Sequence, residues 1–210
     1  MKRYIKSAIT PLSNESLEDK RMIARESDDP EVLEQLFKDN SHLGEYEYFV
    51  CLDLAQNPNT PLDILEQLGN KLDYDTRIRN VVAENPNTPL SLLEELYRYG
   101  GVTTAIHIAE NPNVSEDLLR KISRLSATPY NKSDYFSAMA AVADNPKTPI
   151  DVLDYLSNSD DEYVRAWVAK NPNTPMATLK KLLSDESYYV QDYLGKNPNI
   201  DKLLKETDYE

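Results

Sequence analysis

Residues 164–182 read Val-Arg-Ala-Trp-Val-Ala-Lys-Asn-Pro-Asn-Thr-Pro-Met-Ala-Thr-Leu-Lys-Lys-Leu, and much of the 210-residue chain is a variation on them. Asn-Pro pairs begin at Asn57, Asn85, Asn111, Asn145, Asn171 and Asn197, with successive spacings of 28, 26, 34, 26 and 26 residues. A recurring period of this size marks supersecondary units that bury their apolar faces by stacking. Three joints read Asn-Pro-Asn-Thr-Pro in full, at 57–61, 85–89 and 171–175, and 145–149 differs only in Lys147.

The flanks repeat as well. Upstream of the joints stand Val50 with Leu54-Ala55, Ile78 with Val82-Ala83, Thr104 with Ile108-Ala109, Ala138 with Val142-Ala143, Val164 with Val168-Ala169 and Val190 with Leu194-Gly195. Apolar residues four apart, with a small residue beside the second, describe one face of a short helix, A, pressed on a neighbour. Downstream come Leu65 and Leu68, Leu93 and Leu96, Leu119 and Ile122, Leu153 and Leu156, then Leu179 and Leu182. That i, i+3 pairing predicts a second helix, B. The joint itself reads as a stop and a restart. Asn falls at C′, where it tolerates the left-handed conformation, and Pro ends helix A. Thr60, Thr88, Thr148 and Thr174 suit the N-cap of helix B with Pro at N1, and Asp63 and Asp151 fall at N3.

The frame predicts an all-α fold, an α-solenoid of about six to seven short helix pairs of 26–34 residues. Residues 1–210 form one repeat domain in this reading. Residues 1–49 are an N-terminal cap and degenerate unit, with Ala24, Leu33 and Leu36 echoing Ala55, Leu65 and Leu68. Residues 50–196 are the central units, and 197–210 a polar C-terminal cap. The 34-residue spacing predicts a surface loop near 123–135.

These residues resemble the variant leucine-rich repeat family, whose unit reads much like 164–182. The resemblance covers roughly residues 20–205 and implies a right-handed solenoid of paired helices with no family-wide enzymatic activity. Family units are nearer 24 residues and one helix of each pair is short or 3₁₀-like; the longer spacings here predict two α-helices. The best-known member carries a cysteine-rich iron–sulfur module, for which the lone Cys51 gives no counterpart.

Composition narrows the function. With 23 basic against 36 acidic residues the chain carries −13, and its pI is near 4.6, so a phosphate backbone is repelled and nucleic acid is not expected as a partner. One cysteine cannot form an internal disulfide, and no apolar run approaches the ~20 residues of a spanning helix. The expectation is a cytoplasmic protein that does not engage membranes. Gly44, Gly69, Gly100, Gly101 and Gly195 are too scattered for a phosphate-cradling loop, and His42, His107 and Cys51 lack metal-ligand spacing. No spacing assembles a Ser-His-Asp triad. Neither cofactor, metal nor enzymatic activity is expected, although a carboxylate-based enzyme stays open as a minor alternative.

One constellation points to a partner. The turns leading into helix A carry Tyr46 and Tyr48, Tyr74 and Asp75, Tyr135, Asp161, Glu162 and Tyr163, and Asp185 and Tyr188. Stacked, they would line one edge with carboxylates and phenols, suited to a basic protein. A structural reading competes: the acids are helix caps and the tyrosines close inter-unit seams. Arg79 and Arg165 likewise read as ion-pair partners for acids of an adjacent unit. The leading expectation is a non-enzymatic protein-binding scaffold presenting this acidic, tyrosine-rich edge. The alternative is an inhibitor of the mobile-element type that mimics nucleic acid and blocks a host DNA- or RNA-binding protein.

Overall fold

Each Asn-Pro joint separates two α-helices. The computed structural model describes residues 12, 15–40, 47–70, 76–128 and 130–207, and these contain fourteen α-helices and no strand. Tyr46, Tyr74 and Asp75 lie outside the described residues, as do His42 and Gly44.

The chain falls into two compact units, residues 1–96 and 97–210. The first holds α1 (Leu17–Glu26), α2 (Pro30–Asn40), α3 (Glu47–Gln56), α4 (Leu62–Asn70), α5 (Thr76–Glu84) and most of α6 (Leu90–Tyr99). The second holds α7 (Gly101–Glu110), α8 (Glu116–Ile122), α9 (Lys132–Asp144), α10 (Ile150–Leu156), α11 (Glu162–Lys170), α12 (Met176–Leu182), α13 (Tyr188–Leu194) and α14 (Ile200–Thr207). In the first unit α1 packs on α3 and α3 on α5; in the second, α7 packs on α9, α9 on α11 and α11 on α13.

The expected apolar positions form the core. Val50, Leu54 and Ala55 on α3 are buried, as are Ile78, Val82 and Ala83 on α5 and Val164, Val168 and Ala169 on α11. The i, i+3 pairs of the B helices are buried too, and each such leucine contributes about 1.5–3 kcal/mol. Ala24, Leu33 and Leu36 are buried in the first helix pair, as the degenerate unit predicts. Small residues matter at the seam: a Cβ on Gly69 would lie 3.3 Å from methyls of both Leu92 and Leu96.

The joint works differently from the expected cap. Asn111, Asn145 and Asn171 are extended, with φ between −61° and −70°, not left-handed. The asparagine is chosen for its amide. Asn57 Nδ2 donates to the carbonyls of Ala24 and Ser27, and Asn85 to those of Ala55 and Asn57. In the second unit Asn145 donates to Ala109, Asn171 to Ala143 and Asn145, and Asn197 to Ala169 and Asn171. Each Oδ1 accepts the amide N–H two residues on, as at Asn57 with Asn59 and Asn171 with Asn173. The side chain thus satisfies carbonyls that the preceding A helix leaves unpaired at its C-terminus.

The threonines are not N-caps either. Thr60, Thr88 and Thr174 hydroxyls donate to the carbonyls of Leu54, Val82 and Val168, closing the end of helix A. Pro149 and Pro175 hold the N-cap position, so α10 and α12 start one residue later than expected and Asp151 sits at N2. The extra residues of the long spacing leave 123–128 and 130–131 outside helices and then lengthen α9 to 13 residues. Tyr135 is therefore inside α9, not in a turn. Among the described glycines Gly101 has a positive φ, +72°, at the start of α7.

Candidate functional site

In the second unit the turns entering α11 and α13 bring acids and phenols together, and the two kinds of group have separate fates. Asp161 is the N-cap of α11, its Oδ1 accepting the amides of Tyr163 at 3.0 Å and Val164 at 3.1 Å. Asp185 is gripped by Arg165, whose Nε and Nη2 donate to its two oxygens at 2.7 and 3.0 Å. Its Oδ1 also accepts the Ser187 amide, and Arg165 Nη1 donates to the Ser159 carbonyl. Glu162 accepts the Ser187 hydroxyl at 2.6 Å. The acids cap helices and tie the α12–α13 turn onto α11.

This wiring sets the electrostatics. The guanidinium hydrogen bonds from Arg165 hold the Asp185 carboxyl below the usual carboxylate range, despite its partial burial. A depressed carboxyl is the reverse of what a general acid needs at neutral pH. The same interaction recurs in the first unit, where Arg21 on α1 donates to the buried Asp53 on α3 at 2.7 Å and lies 5.1 Å from the Phe49 ring.

The phenols stay at the surface. Tyr163 is 50% exposed, Tyr189 41% and Tyr188 77%. The Tyr163 and Tyr189 rings lie 4.7 Å apart, and the neighbouring Tyr189 phenol raises the Tyr163 pKa. Tyr188 meets Tyr189 edge-on at 6.1 Å. On α9, Tyr135 is half-buried; burial first, and then the electrostatic influence of Tyr155 on α10, raises its pKa. Tyr48 belongs to the first unit, half-buried on α3 with its ring 5.4 Å from Phe49. The structure thus brings together Asp161, Glu162, Tyr163, Asp185 and Tyr188, and sets Tyr135 and Tyr48 on other helices.

Sequence reasoning missed the surface beside this cluster. Trp167 of α11 and Tyr193 of α13 meet edge-on at 5.0 Å. Lys170 Nζ lies 4.3 Å from the Trp167 ring and 5.8 Å from Tyr193, and Lys196 Nζ lies 5.0 Å from Tyr193. Aligning the A helices would have shown the signal: the column His107, Ala141, Trp167, Tyr193 turns aromatic over its last two members. Elsewhere in this unit an open groove runs over the starts of α8 and α10, crossed by an Arg120–Asp151 ion pair and by Lys147, which donates to the Pro112 and Val114 carbonyls.

Among the described residues no cluster of His, Cys, Asp and Glu is placed to hold a metal ion, and no helix is long and apolar enough to cross a membrane. Cys51 is fully buried on α3, and His107 is half-buried, 4.0 Å from Glu110. No family model, curated protein or solved structure matches this chain.

Proposed function

We propose that the chain is a non-enzymatic protein-binding scaffold, a right-handed α-solenoid of the variant leucine-rich repeat kind, whose tyrosine-bearing turns receive a basic protein. One observation carries this reading: the acids of the α11 and α13 turns are bound to backbone, serine and arginine, while Tyr163, Tyr188 and Tyr189 remain exposed side by side. Tyrosine supplies large contact area at low entropic cost, which is why it concentrates where proteins bind. The excess acid supplies steering. Residues 1–96 carry 10 basic and 19 acidic side chains and residues 97–210 carry 13 and 17, so a basic partner is attracted to the chain as a whole. Nucleic-acid mimicry needs a row of unneutralised acids, and the Arg165–Asp185 pair gives that alternative less support.

A photo-crosslinking residue at position 163, with one at Glu116 as control, tests the reading in the native cell. The expected result is a protein adduct specific to position 163. That partner, purified, should bind the parent at least tenfold tighter than a Tyr163→Ala, Tyr188→Ala, Tyr189→Ala triple variant. Equal binding by the triple variant would refute the assignment.

A further inference from the structure

The A-helix face of the second unit carries a pattern that is complementary to itself. Its last helical residues, in stacking order, are Glu110 on α7, Asp144 on α9 and Lys170 on α11, and Lys196 follows at the end of α13. These side chains are 56%, 53%, 42% and 56% exposed. One turn earlier on the same face the order is His107, Ala141, Trp167 and Tyr193. Half of the face is acidic and small at its centre; the other half is basic and aromatic.

We infer that this face pairs with its own copy, forming a homodimer about a two-fold axis that runs parallel to the A helices between α9 and α11. Such an axis reverses the stacking order and preserves the level along each helix. It therefore sets Glu110 against Lys196 of the second copy, and Asp144 against Lys170 of the second copy, each pair occurring twice. One turn away it sets Trp167 over Ala141 of the second copy, a large ring over a methyl, and Tyr193 against His107. An isologous interface requires this property, that one patch complements itself under the dyad.

The centre is favourable for a further reason. Asp144 and Lys170 already form a 3.7 Å pair within the chain. The dyad lays a second such pair antiparallel on the first, giving a ring of four alternating charges. Lys170 is held against Trp167 and Lys196 against Tyr193 and Asp192, so much of the ordering cost of the lysines is met before association. The inference goes beyond the tyrosine-edge reading, since it concerns another face and another partner.

Charge reversal tests it. The purified chain should sediment as a dimer of about 48 kDa, twice its 24.0 kDa, at concentrations up to ~200 μM, where a micromolar Kd leaves mostly dimer. Glu110→Lys with Asp144→Lys makes the face wholly basic, and Lys170→Glu with Lys196→Glu makes it wholly acidic. Each variant alone should be monomeric, and an equimolar mixture should regain the dimer, because every facing pair is then opposite in sign. Ala141→Trp, which fills the recess opposite Trp167 without altering charge, should also give a monomer. Circular dichroism checks that each variant is folded, and Ala141→Trp decides the matter if a charge variant is not. A monomeric parent at the highest concentration, undiminished dimer in the variants, or a mixture that stays monomeric overturns the proposal. A monomeric parent would leave the tyrosine-edge reading standing, because the crosslinking at position 163 reports on that surface.

Discussion

Asn171→Ala probes the joint where it is most fully described. The asparagine is 2% exposed and makes three hydrogen bonds, donating at 2.7 Å to Ala143 and 2.9 Å to Asn145 and accepting the Asn173 amide at 2.9 Å. The Asn145 carbonyl keeps a second partner in the Thr148 amide. The Ala143 carbonyl, in the last turn of α9, has no helical donor and loses what Asn171 supplies. At about 1 kcal/mol for each bond, with a further contribution from the stranded buried carbonyl, the loss is about 3–4 kcal/mol. Urea unfolding followed by far-UV circular dichroism should show this as a lowered midpoint with an unchanged slope. The neighbouring Asn173→Ala, which gives up an exposed bond to the Pro146 carbonyl, should cost less than about 1 kcal/mol. Asn171→Asp adds a sign test. A carboxylate facing two carbonyls favours its neutral form, so its folded pKa rises above the ordinary ~3.9. Stability relative to the parent is then present at low pH and lost as pH rises through that range, so the deficit should shrink on acidification. A loss under about 1 kcal/mol for Asn171→Ala, no larger than that of Asn173→Ala, would refute the account of the joint.

The other expectations follow from neighbouring contacts. Ala169→Leu places a large side chain at a fully buried seam and should cost about 1–3 kcal/mol by thermal melting. Thr88→Ala should cost about 0.5–1.5 kcal/mol through the lost bond to the Val82 carbonyl, and Thr88→Ser, which keeps the hydroxyl, should retain that part. Arg165→Ala should return the Asp185 pKa toward its ordinary value in a carboxyl ¹³C titration. Because the pair depresses that pKa, its stabilisation is present above about pH 4 and lost on further acidification, and the variant should show a flatter acid limb.

The helix pairs were legible in the sequence because apolar spacing is written independently at every unit. Val164, Val168, Leu179 and Leu182 announce their burial without reference to anything distant. The role of the asparagines was not, because their acceptors lie 26 to 36 residues away and no local pattern names them. A clue was present: a left-handed cap admits Gly, yet none of the six joints uses it. Within these turns the acids and the phenols have different surroundings. Asp161 and Asp185 have the capping and ion-pair roles, as Arg165 was expected to provide, whereas Tyr163 and Tyr188 keep their faces in solvent. The Trp167 surface escaped notice because its residues differ from unit to unit, and a search for recurrence passes over what does not recur.

The amides of Asn57, Asn85, Asn145, Asn171 and Asn197 all reach toward residues earlier in the chain. The amide donors of a helix pair therefore find acceptors in material that has already left the ribosome, whereas the carbonyls ending its own A helix wait for the next asparagine to be made. Assembly in the direction of translation leaves every asparagine amide provided for and only the carbonyls of the newest A helix open at the growing end. The same polarity means that loss of an early pair strips its successor of acceptors, while loss of the final pair takes only donors from those before it.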